Sequence, residues 1–303
     1  MDLRHITAFV AAYEEGSINR AAQRMNLAQP SVSSILRELE AEIGTSLLTR
    51  VSRGAYPTAA GETFYRHCLK VLSEVDAARN SVMSGAGRIA GPICIGLAPT
   101  IAKGLMPRFI AAFLADYPDV QLRAAEAFSG PLTEWTLAGE VDFAVVAVPP
   151  IDRRLITRRL ALDPIFLITA PHGLAATTSG PFANLPPLKI ALPSQNNGLR
   201  TMLDRYIHSV GIEIERFVEI DSLHGILELL KHSDWTTLLS LTSILKELDH
   251  GELAARRTDP PLDLEFYLIY PARRTLSAAA EIFVARLEKA VADIEAERSV
   301  RRL

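Results

Sequence analysis

The chain has 303 residues, of which 49% are hydrophobic and 22% charged, with a formal net charge of −3. That length exceeds one small core, and the apolar content is enough to bury two or three, so a multidomain globular protein is expected and long-range disorder is not. The two cysteines, Cys68 and Cys94, are too few for a disulfide framework. No apolar run is long enough to span a bilayer, and the opening MDLRHITAF lacks a basic segment followed by a long apolar one. The expected location is therefore cytoplasmic, with no membrane partner. Net charge does not announce a nucleic-acid partner either. Residues 1–60 hold six arginines and six carboxylates, so distribution would have to do what the total does not.

Residues 3–14 read as a helix with Leu3, Ile6, Phe9, Val10 and Tyr13 inward. Residues 17–43 read as two helices joined by a tight turn at Met25, Asn26 and Leu27. Ile18, Ala21, Ala22 and Met25 share a face of the first; Val32, Ile35, Leu36, Leu39 and Ile43 share a face of the second. Ser17 suits an N-cap, Gln29 and Pro30 suit a helix start, and Gly44 suits a helix end. Opposite the second helix's apolar stripe lie Pro30, Ser34 and Arg37, flanked by Gln29, Ser31 and Ser33. Gln and Arg reach base edges, while Ser and helix N–H groups reach phosphates. This is the layout of a helix-turn-helix, although an ordinary helical hairpin shares the pattern. The next stretch, TSLLTRVSRGAYPTAAG, reads as a two-stranded wing. Its Arg50 and Arg53 are placed to meet phosphates or a minor groove, or are solvated loop charges.

FVAAYEEGSINRAAQRMNLAQPSVSSILRELEAEIGTSLLTRVSRGAYPTAAG resembles the DNA-binding domain of LysR-type transcriptional regulators, and the match runs through AAQRMNLAQPSVS, LRELEAEIG, LLTR and PTAAG without a gap. The resemblance implies that Gln29, Pro30, Ser33 and Ser34 lie in or beside the major groove and that Arg50 and Arg53 belong to the wing. The chain departs from the family pattern at Ala28, where a serine cap is frequent, at Ser34, where a long basic or aromatic residue is frequent, and at Leu48, where phenylalanine is usual.

After this winged helix-turn-helix (1–58) comes a helix at 59–85. Phe64, Cys68, Val71, Val75, Ala78 and Val82 step by four and three, an apolar seam that wants a partner helix. The resemblance makes it the linker that dimerises the family's DNA-binding domains; packing on the chain's own next domain is the alternative. Gly85, Gly87, Gly91 and Pro92 break the helix, giving a hinge at 86–91.

From 92 to 303 strand and helix signals alternate. Strands are expected at 93–97, 120–124, 142–148, 166–170, 188–192, 216–220, 235–239 and 266–270, with helices between them and a last long helix from Leu276 to about Glu297. This is an α/β pattern built on parallel sheets. ICIGLAPT, LMPRFIAAFLADYPDVQL, LAGEVDFAVVAVPP and GLRTMLD resemble the effector-binding domain of the same family. That implies a two-lobed, doubly wound fold like type 2 periplasmic binding proteins, with lobe I at 92–166 and 267–303 and lobe II at 167–266. The whole chain thus reads as an α/β protein with an all-α-type winged helix-turn-helix at its N-terminus.

Open parallel sheets bind ligands beyond the carboxyl ends of their strands. That rule selects Thr100, Ser129, Gly130 and Val148 in one lobe and Ser194, Gln195, Asn196 and Ser222 in the other. Hydroxyls, amides and free helix N–H groups suit a small anionic or polar ligand, though each such residue is also a common helix cap. Arg200 could pair with a ligand carboxylate or sit on the surface, and Trp235 could pack in the core or near the pocket. The seven histidines form no HExxH and no close pair at metal spacing, and GxSxG, P-loop and post-strand GxGxxG motifs are missing. No enzyme, metal or cofactor is expected. The resemblance implies a regulator that binds an inverted-repeat DNA operator as a homodimer or homotetramer, answers to a small-molecule effector, and admits RNA polymerase as a partner. A two-lobed cytosolic binding protein or enzyme whose N-terminal helices only mediate association is the rival, and a constitutive DNA-bending protein with an empty cleft is a third reading.

Overall fold

The computed structural model describes residues 1–51, 54–83 and 89–301. It separates into two compact units, Met1–Pro92 and Ile93–Leu303.

The first unit begins with α1 (Leu3–Glu15), started by the Asp2 carboxylate, which accepts the N–H groups of Arg4 and His5 at 2.8 and 3.1 Å. Those bonds to the ionised form hold the Asp2 carboxyl below its ordinary value. Gly16, left-handed at φ 58°, ends the helix. α2 (Ile18–Arg24) follows, with Ser17 Oγ accepting the Arg20 N–H, and then α3 (Gln29–Ile43), which ends at left-handed Gly44. The turn between α2 and α3 is a Schellman motif. Asn26 takes φ 54°, its N–H donates to Gln23 O at 3.1 Å, and the Leu27 N–H donates to Ala22 O at 2.9 Å. Phe9, Ala21, Ala22, Val32, Leu36 and Leu39 form the core between the three helices. Leu3 and Ile43, expected inward, are 43% and 37% exposed. Both lie in the first or last turn of their helices, where the helix runs past the core. β1 (Leu48–Val51) and β2 (Gly54–Pro57) pair antiparallel as the expected wing, and α4 (Ala59–Met83) follows.

The second unit opens with β3 (Gly91–Leu97), α5 (Pro99–Lys103), α6 (Met106–Asp116), β4 (Val120–Glu126), α7 (Ser129–Ala138) and β5 (Phe143–Val146). One long helix was expected after β3. It breaks between Gly104 and Met106, where Pro107 in the first turn of α6 has no N–H to continue α5, and Gly104 packs so closely that a Cβ there would lie 2.6 Å from Thr242 O. β6 (Leu155–Thr169) is the strand shared by both lobes. Up to Pro164 it pairs with β11 (Asp263–Pro271), in a sheet ordered β6-β11-β5-β3-β4. From Ile165 it pairs with β9 (Thr237–Ser240), and from Phe166 with β10 (Ala254–Arg257). A short parallel bridge, Ile190 to Thr236, carries that second sheet on to β7 (Leu188–Leu192) and β8 (Ile214–Glu219). β3 and β5 run parallel, as do β7 and β8, while β6 and β11 run antiparallel to their neighbours. The second lobe also carries α8 (Leu174–Thr177), α9 (Gly198–Val210), α10 (Leu223–Lys231) and α11 (Leu245–Asp249). α12 (Ala278–Arg301) closes the chain, burying Phe283, Leu287 and Val291.

Candidate functional site

On α3 the apolar stripe from Val32 to Leu39 is spent in the core, with Val32 and Leu39 at 0% exposure. The opposite face is polar and open. Gln29, Pro30, Ser31 and Arg37 are exposed, and Ser33 and Ser34 are half-buried. Gln29 Nε2 donates to Ser33 Oγ at 2.9 Å and Arg37 Nε donates to Ser33 O at 3.3 Å, so Gln29, Ser33 and Arg37 form one row along the helix. Ser34 Oγ donates to Glu38 Oε1 at 3.0 Å. Ala28 provides no side-chain cap, which leaves the first turn of α3 to its own backbone. The distribution of charge that the zero sum concealed is now visible. Arg24 pairs with Glu14 at 2.6 Å, and Arg20 pairs with Glu15 at 3.6 Å, whereas Arg37 forms no ion pair among the described residues.

The wing is stitched to this helix by groups the sequence reading did not single out. Glu40 Oε1 accepts the N–H groups of Leu47 and Leu48 at 2.8 and 3.1 Å. The Ala55 N–H donates to Gly16 O at 3.0 Å, and a Cβ on Gly54 would lie 2.7 Å from that oxygen. Thr58 Oγ1 donates to Ser46 O at 2.8 Å and accepts the Gly61 N–H at 3.0 Å, capping α4. The Arg50 side chain and all of Arg53 lie outside the described residues.

Two members of the expected dimerisation seam are placed elsewhere. Cys68 is 1% exposed in the unit's own core, and the Phe64 ring meets Phe9 edge-on at 5.1 Å. α4 packs its first turns on α1, which takes Cys68 out of a partner helix's reach and leaves Phe64 half-buried. Burial pushes the Cys68 thiol up to about 12. Farther along α4, Val71 and Ala78 are exposed and Val75 is half-buried, while the Val82 side chain lies outside the described residues.

In the second unit a cavity of about 530 Å³, counting its solvent mouth, lies between the two lobes. Ala98, Pro99, Thr100, Phe128, Ser129 and Ala147 line it from one side. Pro193, Asn197, Leu199, Ile220, Asp221 and Leu223 line it from the other, above Ile226, Leu239 and Leu264. Of the residues expected there, Thr100 and Ser129 line it, and the other six do not. Ser222 turns back to accept the Gly225 N–H at 3.1 Å and caps α10. Gln195 donates to Asp204 at 3.1 Å, and both it and Asn196 are exposed. The Ser194 N–H donates to Asp221 Oδ1 at 2.9 Å. Gly130 is exposed one residue beyond Ser129. Val148 sits at the rim, where a Cβ on Gly198 would lie 2.6 Å from Val148 Cγ2. Ser129 Oγ accepts the Ala147 and Val148 N–H groups at 3.2 and 3.1 Å, which fixes the loop after β5 and leaves its own proton to donate.

Residues 3–62 match the sequence profile of the bacterial regulatory helix-turn-helix protein, lysR family, and residues 86–292 match that of the LysR substrate binding domain. The chain belongs to the LysR family. It is a DNA-binding transcriptional regulator with an effector-binding domain. Among its relatives, the HTH-type transcriptional regulator PcaQ of Agrobacterium fabrum is 27% identical over 69% of this chain and 68% of its own. The HTH-type transcriptional regulator CfxR of Cupriavidus necator is 26% identical over 93% of this chain and 89% of its own. Full-length OxyR from Pseudomonas aeruginosa shares the fold at a TM-score of 0.70 and 21% identity, covering 96% of this chain and 94% of that one. CbnR, solved full-length in complex with its target DNA, shares it at 0.68 and 19%, covering 95% and 99%.

In this LysR-family chain, Asn197 and Asp221 also line the cavity; Asn197 belongs to the 193–198 loop that the strand-end rule selects, and Asp221 is a lining group that the rule did not single out. Arg200 and Trp235 do not line the pocket. Arg200, 8% exposed, donates to Asp204 at 2.7 Å, to Glu219 at 3.0 Å and to Pro193 O at 2.8 Å, and it lies over the Phe217 ring. Trp235 packs on the second lobe's core. No helix of the described residues is long and apolar enough to cross a membrane, and no group of three or more His, Cys, Asp or Glu among them could hold a metal.

Proposed function

We propose that this regulator reads its operator with the Gln29–Ser33–Arg37 row of α3. Ser34 stands beside that row in the major groove, and Pro30 and Ser31 approach the backbone. Arg50 and Arg53 extend the contact to phosphates or the minor groove from the wing. The observation that carries this reading is the division of α3, with Val32, Leu36 and Leu39 buried and Gln29, Pro30, Ser31 and Arg37 exposed. Val71, Val75 and Ala78 supply the apolar face through which α4 pairs with a second copy, and each α3 then meets one half of an inverted repeat. The lobes extend to about 92–166 with 267–303 and 167–266, and the hinge to 86–91. The effector binds in the inter-lobe cavity, works in the cytoplasm without turnover, and shifts the protein toward the lobe arrangement it binds better. RNA polymerase is the partner that reads the outcome.

Arg37→Ala should cost about 1–3 kcal/mol of discrimination between operator and scrambled DNA if its guanidinium reads a base. The measurement is a pair of binding isotherms over a salt series, on the fragment protected in footprinting. Equal loss on both sequences, with a flatter salt slope, would move Arg37 to a phosphate. No loss on either would remove it from the interface.

A further inference from the structure

We propose that the effector carries a protonated amine on a small apolar body. This rests on the reading that the effector occupies the inter-lobe cavity. The cavity's wall is mainly apolar, with Phe128, Leu199, Leu223, Ile226 and Leu239 supplying its bulk. Asp221 supplies its charge, and among the described residues no Lys, Arg or His lines it. An anionic ligand would therefore meet a like charge with no cation to offset it. The nearby arginine is already committed, since Arg200 is held by Asp204, Glu219 and Pro193 O.

Of the four helix N-termini at the cavity, those of α9 and α10 carry side-chain caps and those of α5 and α7 carry none. Asn197 Oδ1 accepts the Leu199 N–H at 3.1 Å at the start of α9, and Ser222 Oγ accepts the Gly225 N–H at 3.1 Å at the start of α10. Asp221 has the opposite sense. Asp221 Oδ1 accepts only a backbone N–H from Ser194, and the carboxylate is in no ion pair among the described residues. An ammonium group satisfies Asp221 with a charge-assisted bond, while the apolar body covers the leucines.

The test uses the full-length protein and matched ligands on common skeletons: phenethylamine, cyclohexylmethylamine and hexylamine, each beside the carboxylate and the alcohol of the same carbon body. Binding is read by thermal shift and calorimetric titration in the wild type, in Asp221→Asn, which keeps an acceptor for the Ser194 N–H, and in Ala147→Trp, which fills the cavity. The expected result is that amines bind roughly tenfold or more tighter than their carboxylate partners, that Asp221→Asn abolishes the preference, and that Ala147→Trp abolishes binding. Preferred carboxylates, an amine preference that survives Asp221→Asn, or no amine binding at millimolar concentration would each overturn the amine assignment. Binding that survives Ala147→Trp would instead overturn the cavity as the effector site.

Discussion

On α3 the outward polar groups Gln29, Ser33 and Arg37 come four residues apart on one helix and bond to one another. The inter-lobe cavity draws Thr100, Ser129, Asn197 and Asp221 from four separate strand-to-helix segments. The first surface is made by a local rule, helical periodicity, and holds as long as its buried face holds. The second exists only while two lobes, joined through β6, keep their approach. A single contact on the buried side of α3 should therefore matter more than any single contact on the cavity rim.

Leu36→Ala gives the largest expected effect. Leu36 is 1% exposed, and removing it should destabilise the first unit by about 2–5 kcal/mol. In calorimetry of the full chain, the transition of the first unit should fall, operator binding should fall with it, and the second unit's transition should stay. A uniform shift of both transitions would break the comparison, because it would make the two units one cooperative body.

Gly198→Ala comes next and probes the cavity. Its new Cβ would lie 2.6 Å from Val148 Cγ2 in the other lobe, so the rim must part or Val148 must turn. The expected cost is about 1–3 kcal/mol against the closed arrangement. Hydrogen exchange should quicken in the loops around 147–149 and 193–198 and stay unchanged in α3. Unaltered exchange at both loops would mean that Val148 turns freely and that the rim is softer than argued.

The same contrast explains what could be read from the sequence. Val32, Leu36 and Leu39, the Gly44 cap and the wing strands are short-range patterns, and all were legible. β7, placed at 188–192 in advance, is a buried strand of continuous apolar residues and was legible for the same reason. The first half of β6 was not, because Arg158 and Arg159 interrupt its apolar pattern and its partner β11 lies about a hundred residues away. Phe64 and Cys68 continue the seam spacing of α4 perfectly, yet Phe9 and the α1 core claim them. Spacing finds a face but does not say which neighbour covers it. In the cavity, the strand-end rule found Thr100 and Ser129. It also selected Ser222 and Gln195, whose side chains bond to the helices that follow them, and it passed over Asp221, whose meaning depends on the lining around it.

The smallest effect concerns Cys68, and it separates core from seam without disturbing either. Burial pushes its thiol up to about 12 from an ordinary 9.0, so the native fold favours the protonated form. The sign is that of any raised acid: the contribution to stability is complete below pH 9 and is lost as pH climbs through about 12. At pH 8 the native thiol should resist iodoacetamide, since the thiolate is the nucleophile, and mass spectrometry should find Cys68 unlabelled until the first unit unfolds. Cys94 is raised by burial too, but Arg123 opposes the rise and the residue is only half-buried, so it should label first. The dilution series decides the matter. Protection supplied by the chain's own core is independent of protein concentration, whereas protection supplied by a partner helix fades on dilution. Labelling that rises on dilution would return Cys68 to the dimer seam and sever α4 from the α1 core in solution.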